Sequence, residues 1–183
     1  MLALHAVALC FCARGAETGL PMPAIFDETI TQVRKGEKIP RETLQQCELA
    51  LTRYVADLHV ENDVADPMDF LEADRMNYFM AHMKLEIAYP DKYLNQYRNW
   101  RLVKTCHEGF KRARLTDDSA FLTFCSIFSS LEQGDDAYTL AAYKELLEKD
   151  PFLARHTLKL FKNPNGRFLQ LIKDLPKPEA EGK

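Results

Sequence analysis

The sequence predicts an all-α protein, an α-solenoid of stacked antiparallel helical hairpins with about seven to eight helices. Three observations lead there. Seven dispersed glycines and scattered β-branched residues leave little material for sheets, while strong helix formers are plentiful. Apolar residues recur at three- and four-residue steps between Gly and Pro punctuation marks. One stretch, 116–151, spells out a complete hairpin with its start and stop signals.

That hairpin should begin at Thr116, Asp117 and Asp118, whose side-chain oxygens can accept first-turn backbone N–H groups. Its first helix carries Phe121, Leu122, Phe124, Cys125, Ile127, Phe128 and Leu131, apolar nearly all round, and ends near Gly134. A helix of that kind needs partners on several sides. The second helix restarts on Asp135 or Asp136, places Leu140, Tyr143 and Leu147 on one stripe, and stops at Asp150 because Pro151 follows.

From the start of the chain, residues 1–16 hold one Arg and no acid, and their apolar run is too short to span a bilayer. They read as a mitochondrial targeting segment, since a secretory signal would carry a basic residue ahead of the apolar run. The mature chain is expected to be soluble. Residues 17–23, with Pro21 and Pro23, form an extended lead-in to a helix over 24–35 with Phe26, Ile30 and Val33 on one face and Gly36 as its stop. Pro40 opens the next helix, in the position where its missing N–H costs nothing, with Leu44, Cys47, Leu51, Tyr54 and Leu58 as its stripe. This repeats the 116–151 pattern. Phe26, Ile30, Val33 and Gly36 match Phe124, Phe128, Leu131 and Gly134, and Leu44, Cys47 and Leu51 then match Leu140, Tyr143 and Leu147.

Asp66 and Pro67 start a helix expected to run to Tyr89, with Phe70, Ala73, Met76, Met80, Met83 and Ile87 as a core-filling face. Pro90 and Asp91 open another, continuous to Arg114. Tyr93, Tyr97, Trp100, His107 and Phe110 line one side of it, and Lys92, Arg98, Arg101, Lys104, Lys111, Arg112 and Arg114 decorate the rest. Aromatics interleaved with cations can stack bases and hold phosphates. A core stripe under a solvated basic face, docking an acidic protein surface, explains the same pattern. After the hairpin, helices are expected over 151–162 (Phe152, Leu153, Leu158, Leu160, Phe161), ended by Asn163 and Pro164, and over 167–175. The domain is thus 17–175, and 176–183 form a disordered tail.

Length and a 46% hydrophobic content allow one domain with a real core. The net charge of −3 provides no overall attraction to phosphate backbones or anionic membranes. Five cysteines, two of them in the targeting segment, leave Cys47, Cys106 and Cys125 as isolated, buried free thiols in a reducing compartment. No phosphate-binding glycine loop, dinucleotide fingerprint or HExxH occurs. The HxE of His59–Glu61 lacks the PCxxC of zinc deaminases, and Cys106–His107 lacks the second cysteine of a haem site. His82 and His107 sit on or beside apolar stripes as structural histidines. The pairs Asp117/Asp118 and Asp135/Asp136 are expected as helix caps. No catalytic, metal-binding or cofactor-binding residue is assigned, and an enzyme is not expected.

FDETITQVRKGEKIPRETLQQCELAL and FLTFCSIFSSLEQGDDAYTLAAYKELLEKDPF resemble pentatricopeptide repeats, each with a first helix, a Gly-containing turn and a second helix ending in a leucine-rich, acidic stretch. The middle hairpin, Pro67 to Arg114, exceeds the usual repeat of about 35 residues. Many pentatricopeptide proteins read single-stranded RNA one base per repeat. Two to four irregular repeats and a negative charge disfavour that role here. The size, the presequence-like start and the lead-in GAETGLPMPAIFDETITQVRKG resemble the family of the extra subunit on the catalytic head of mitochondrial ATP synthase in euglenozoans. That resemblance implies a non-catalytic, matrix-side protein docked outside the ATP synthase α subunit, one copy per α subunit. An organellar RNA binder, or a helical-repeat adaptor of another mitochondrial complex, is the alternative.

Overall fold

A computed structural model describes residues 19–93, 100–161 and 166–178, and every regular element among them is helical. In chain order these are α1 (Ile25–Arg34), α2 (Arg41–Asn62), a 3-10 turn (Pro67–Asp69), α3 (Glu72–Ala88), α4 (Pro90–Tyr93), α5 (Trp100–Thr105), α6 (His107–Ala113), α7 (Ala120–Gln133), α8 (Asp136–Lys149), α9 (Pro151–Leu160) and α10 (Arg167–Leu171). The targeting segment 1–16 lies outside the described residues, as do Tyr97, Arg98, Asn163, Pro164 and positions 179–183.

The two hairpins read from the sequence are present, and their first helices end alike. Gly36 and Gly134 both adopt positive φ, 71° and 88°. Beyond each, the next N–H reaches back five residues, Glu37 to the Gln32 carbonyl at 3.1 Å and Asp135 to the Ser130 carbonyl at 2.9 Å. This closure satisfies carbonyls that a helix end leaves orphaned, and it needs a left-handed residue at the glycine position. The following helices diverge in length, 22 residues in α2 against 14 in α8.

α7 is buried at every position from Leu122 to Leu131. Its hydroxyl residues are satisfied within the helix: Ser126, Ser129 and Ser130 donate to the carbonyls of Thr123, Ser126 and Ile127. Ser130 also meets Thr139 Oγ at 2.8 Å, which stitches α7 to α8. Around α7 gathers the larger core, drawing on α3, α5, α6, α8, α9 and α10. A smaller core lies between α1, α2 and α3. α3 divides them, giving Met76, Met80, Met83 and Ile87 to the first and Ala81 and Leu85 to the second. The methionines are core filling, as expected.

Two expected helices are interrupted and a third starts late. The helix predicted from Asp66 to Tyr89 breaks at Phe70 and Leu71, both extended. Asp66 accepts the Met68 N–H and sets up a short turn, Leu71 N–H is taken by Asn62 Oδ1 at 2.7 Å, and Phe70 swings into the smaller core. The helix predicted from Pro90 to Arg114 is also not continuous, since α5 and α6 part at Cys106, whose N–H is shared between the Leu102 and Val103 carbonyls. Beyond the break, Gly109 lets α6 approach α3, because a Cβ there would stand 2.5 Å from Met76 Sδ. α7, finally, starts at Ala120 with Ser119 as its cap, while Asp117 takes the Ser119 N–H one turn earlier. Asp135 does cap α8, accepting the Tyr138 N–H at 3.1 Å.

The hairpins also touch beyond their immediate neighbours. Arg34 at the end of α1 clasps Asp150 with two bonds, 2.9 and 2.6 Å, across 116 residues. Asp150 simultaneously caps α9 through the Leu153 N–H, and Arg34 lies over the Phe152 ring at 4.8 Å. Asp150→Ala therefore removes a cap and an ion pair, whereas Asp150→Asn keeps an acceptor for the cap. Urea unfolding should show Asp150→Ala less stable than Asp150→Asn by about 1 kcal/mol. Equal losses would mean that the cap contributes nothing.

The glycine closures give a second expectation. A Cβ at Gly36 meets nothing within 4 Å, and one at Gly134 meets only the Arg167 guanidinium at 3.7 Å. Gly36→Ala and Gly134→Ala should each cost about 1 kcal/mol in urea unfolding, from backbone conformation alone, with Asn cheaper than Ala at both.

Candidate interaction surface

The basic segment was the sequence's strongest candidate for a binding face, and the structure disperses it. Lys92 pairs with Glu48, Arg112 with Glu72, and Arg114 with Glu145 and the Tyr138 hydroxyl. Lys111 lies 3.4 Å from Glu108 and 3.6 Å from Asp135. These cations hold helices together within the chain. Arg101 and Lys104 remain exposed on α5. Arg98 lies outside the described residues. Of the aromatic side, His107 and Phe110 are buried, Phe110 beside Phe79 in the larger core, while the side chains of Tyr93, Tyr97 and Trp100 lie outside the described residues.

His107 is buried where α6 meets the turn into α8. Its Nε2 stands 3.2 Å from Asp135 Oδ2, and its ring meets Tyr138 edge-on at 5.3 Å. Asp135 is held below the ordinary carboxylate range, first by the Tyr138 N–H it accepts and then by His107 and Lys111. Asp118 pairs with Lys149, and Glu145 with Arg114 and Lys149. The network is a strut between α6, α7 and α8.

Sequence reasoning missed a second polar cluster, at the start of the described chain. Asp74, buried in the first turn of α3, accepts the Leu20 N–H at 2.6 Å and the Asn62 amide at 3.0 Å. Tyr54 and Asn77 donate to the Leu20 carbonyl at 2.9 and 3.1 Å. A Cβ at Gly19 would lie 2.9 Å from the Ala73 and Asp74 backbone, so the lead-in can seat here only through glycine. The extended lead-in is thus clamped along α2 and α3. Between it and α2 runs an open groove of about 320 Å³, lined by Leu20, Pro21, Pro23, Ala50, Arg53, Tyr54 and Asp57.

The thiols of Cys47, Cys106 and Cys125 are free and buried. Burial pushes all three up, Cys106 to about 12, so they are uncharged at neutral pH and poorly suited to nucleophilic or ligating roles. Among the described residues no group of three His, Cys, Asp or Glu side chains could hold a metal ion, and no helix is long and apolar enough to cross a membrane.

The outer face of α2 is exposed. The stripe of Cys47, Leu51, Tyr54 and Leu58 is buried as expected, yet Leu49 and Val60 on the opposite side are 51% and 80% exposed. Leu71, 69% exposed, lies just beyond. Large apolar residues out of phase with a helix's buried stripe were the signal available in the sequence. Set against known proteins, the chain matches no family model, no characterised protein and no solved structure.

His82 gives this region a pH dependence. It is buried in α3 against Tyr78, ring centroids 4.5 Å apart, and burial lowers it from 6.5 to about 4. The neutral form is the folded one, so the unfolded chain takes up a proton first as pH falls. Stability tied to His82 is complete above pH 6.5 and declines as pH drops toward 4, by about 1.4 kcal/mol per pH unit. In urea unfolding at pH 7 and pH 4, His82→Leu should shrink the stability difference by about 3 kcal/mol. An unchanged difference would mean that His82 is protonated in the folded chain.

Proposed function

We propose that this chain is a non-catalytic helical subunit that docks on the catalytic head of mitochondrial ATP synthase, on its α subunit, and supports the assembly or stability of that head. It works from the matrix side without cofactor or metal, and its hairpins form a pentatricopeptide-like stack. The observation that carries this reading over an RNA-binding one is the fate of the basic segment. Lys92, Lys111, Arg112 and Arg114 are engaged by carboxylates of the same chain, which removes most of the phosphate-facing charge that single-stranded RNA requires. The glycine-closed hairpins at Gly36 and Gly134 support the repeat resemblance on which the partner rests. Exposed apolar residues outside the cores offer surface for a protein partner.

Native gel electrophoresis of solubilised mitochondria tests it. The chain should co-migrate with the ATP synthase head, and its depletion should lower the amount of assembled head. Recovery only in free fractions, or crosslinking to organellar transcripts that Arg101→Glu abolishes, would replace this reading with the adaptor or RNA-binding one.

A further inference from the structure

We propose that the polar clamp on the lead-in is the seat of a processed chain end: a leader peptidase hydrolyses the Thr18–Gly19 bond, and the new α-ammonium of Gly19 pairs with the buried carboxylate of Asp74. The hydroxyl of water goes to the Thr18 acyl carbon and its hydrogen to the Gly19 nitrogen. The proton of the new carboxylic acid then turns that amine into an ammonium, the form an α-amine holds at neutral pH. The removed leader is 1–18, against the 1–16 read from composition. The proposal rests on reading that leader as a removable targeting segment, and not on the ATP synthase partner.

Asp74 is 2% exposed, and among the described residues its carboxylate is met by two neutral donors, the Leu20 N–H at 2.6 Å and the Asn62 amide at 3.0 Å. A buried charge is ordinarily paired with an opposite one, and the first turn of α3 supplies only a partial positive charge. Gly19 sets where a cation can stand. A Cβ on it would lie 2.5 Å from Asp74 Oδ1. A backbone nitrogen is about 2.5 Å from a Cβ on the same Cα, so the Gly19 nitrogen is within about 5 Å of the carboxylate. Freed from Thr18, it can swing about the Gly19 Cα–C bond toward Asp74.

The rest of the clamp holds the chain one residue further on. Tyr54 and Asn77 donate to the Leu20 carbonyl at 2.9 and 3.1 Å, so both backbone groups of Leu20 are bound. Pro21 and Pro23 follow with fixed φ and stiffen the lead-in up to α1. An end held in this way has little freedom left to lose when its ammonium docks. The same geometry places the cut. A start at Glu17 or Thr18 would set the ammonium one or two residues away from the position beside Asp74. A start at Leu20 would discard the residue whose lack of a side chain the site demands, since a Cβ at Gly19 also meets the Ala73 and Asp74 backbone at 2.9 Å.

N-terminal sequencing of the chain isolated from its own cells tests it. The first five cycles should release Gly, Leu, Pro, Met and Pro. In that isolated chain the Gly19 amine should be acylated at pH 7 at least about tenfold more slowly when folded than in urea, read by mass spectrometry of the N-terminal peptide. Asp74→Asn keeps the shape of the clamp and removes its charge, so it should return most of that factor. An uncut chain, or one that starts at Glu17, Thr18 or Leu20, would overturn the proposal, and this reading does not need the variant to fold. Equal rates for the folded and unfolded parent, or a folded Asp74→Asn as slow as the parent, would do the same. A Gly19 start on a chain recovered outside mitochondria would support the clamp while overturning the mitochondrial reading.

Discussion

Two helices have long stretches with no solvent side, and the placement of everything else answers to that. α7 is buried from Leu122 to Leu131, and α3 is buried at every position from Ala81 to Ile87. A helix about 10 Å across cannot be covered all round by one neighbour. α8 covers one side of α7, tied by the Ser130–Thr139 contact, and α5, α6 and α9 take the others. α3 is covered by α1 and α2 on one side and by α5 and α6 on another. The short, broken elements are consequences. Gly109 and the shared bond at Cys106 let α5 and α6 bend around α3 and α7, which one straight helix could not do.

Burial on this scale forces polar groups inside, and several are given a local answer. Lys84, 6% exposed in the middle of α3, reaches Asp27 at 2.6 Å and lies over the Phe121 ring at 5.1 Å. Asp74 collects donors from two segments, the lead-in and the end of α2, and Asp150 serves a helix end and a guanidinium together. Such groups gain little net stability over apolar replacements, but each is costly if its partner is lost. They fix which element lies against which. Arg34 and Asp150 set α1 against the α8–α9 corner, and Asp74 sets the lead-in against α3.

What was legible in the sequence was whatever local chemistry decides. Gly36 and Gly134 announced left-handed turns, Asp135 announced a cap, and the stripes of α2 and α8 were visible as spacing. The break at Phe70 and Leu71 was not, because the apolar spacing runs straight through it, and the cause, Asn62 accepting the Leu71 N–H, sits on another helix. The basic segment misled for a related reason. Sequence shows which cations are near one another along the chain, not which carboxylates reach them, and Glu48, Glu72 and Glu145 come from three other helices. The outer face of α2 escaped notice because a search for buried stripes passes over what lies opposite them.

The two like hairpins end in unlike roles, and α3 is the reason. In a regular solenoid each repeat meets its neighbours alone, and stability is a sum of repeat and interface terms. Here α3 belongs to both cores, and α1 gives Phe26 to one and Ile30 to the other. The first hairpin cannot loosen without exposing a face of α3, and the second cannot without exposing α7. Their similarity is therefore one of local closure, while their burial is set by position. The α7–α8 hairpin sits inside the larger core and has little surface left to offer. The first hairpin stands outside, with α1 packed on α3 and α2 packed on α1, so α2 presents a long face to solvent.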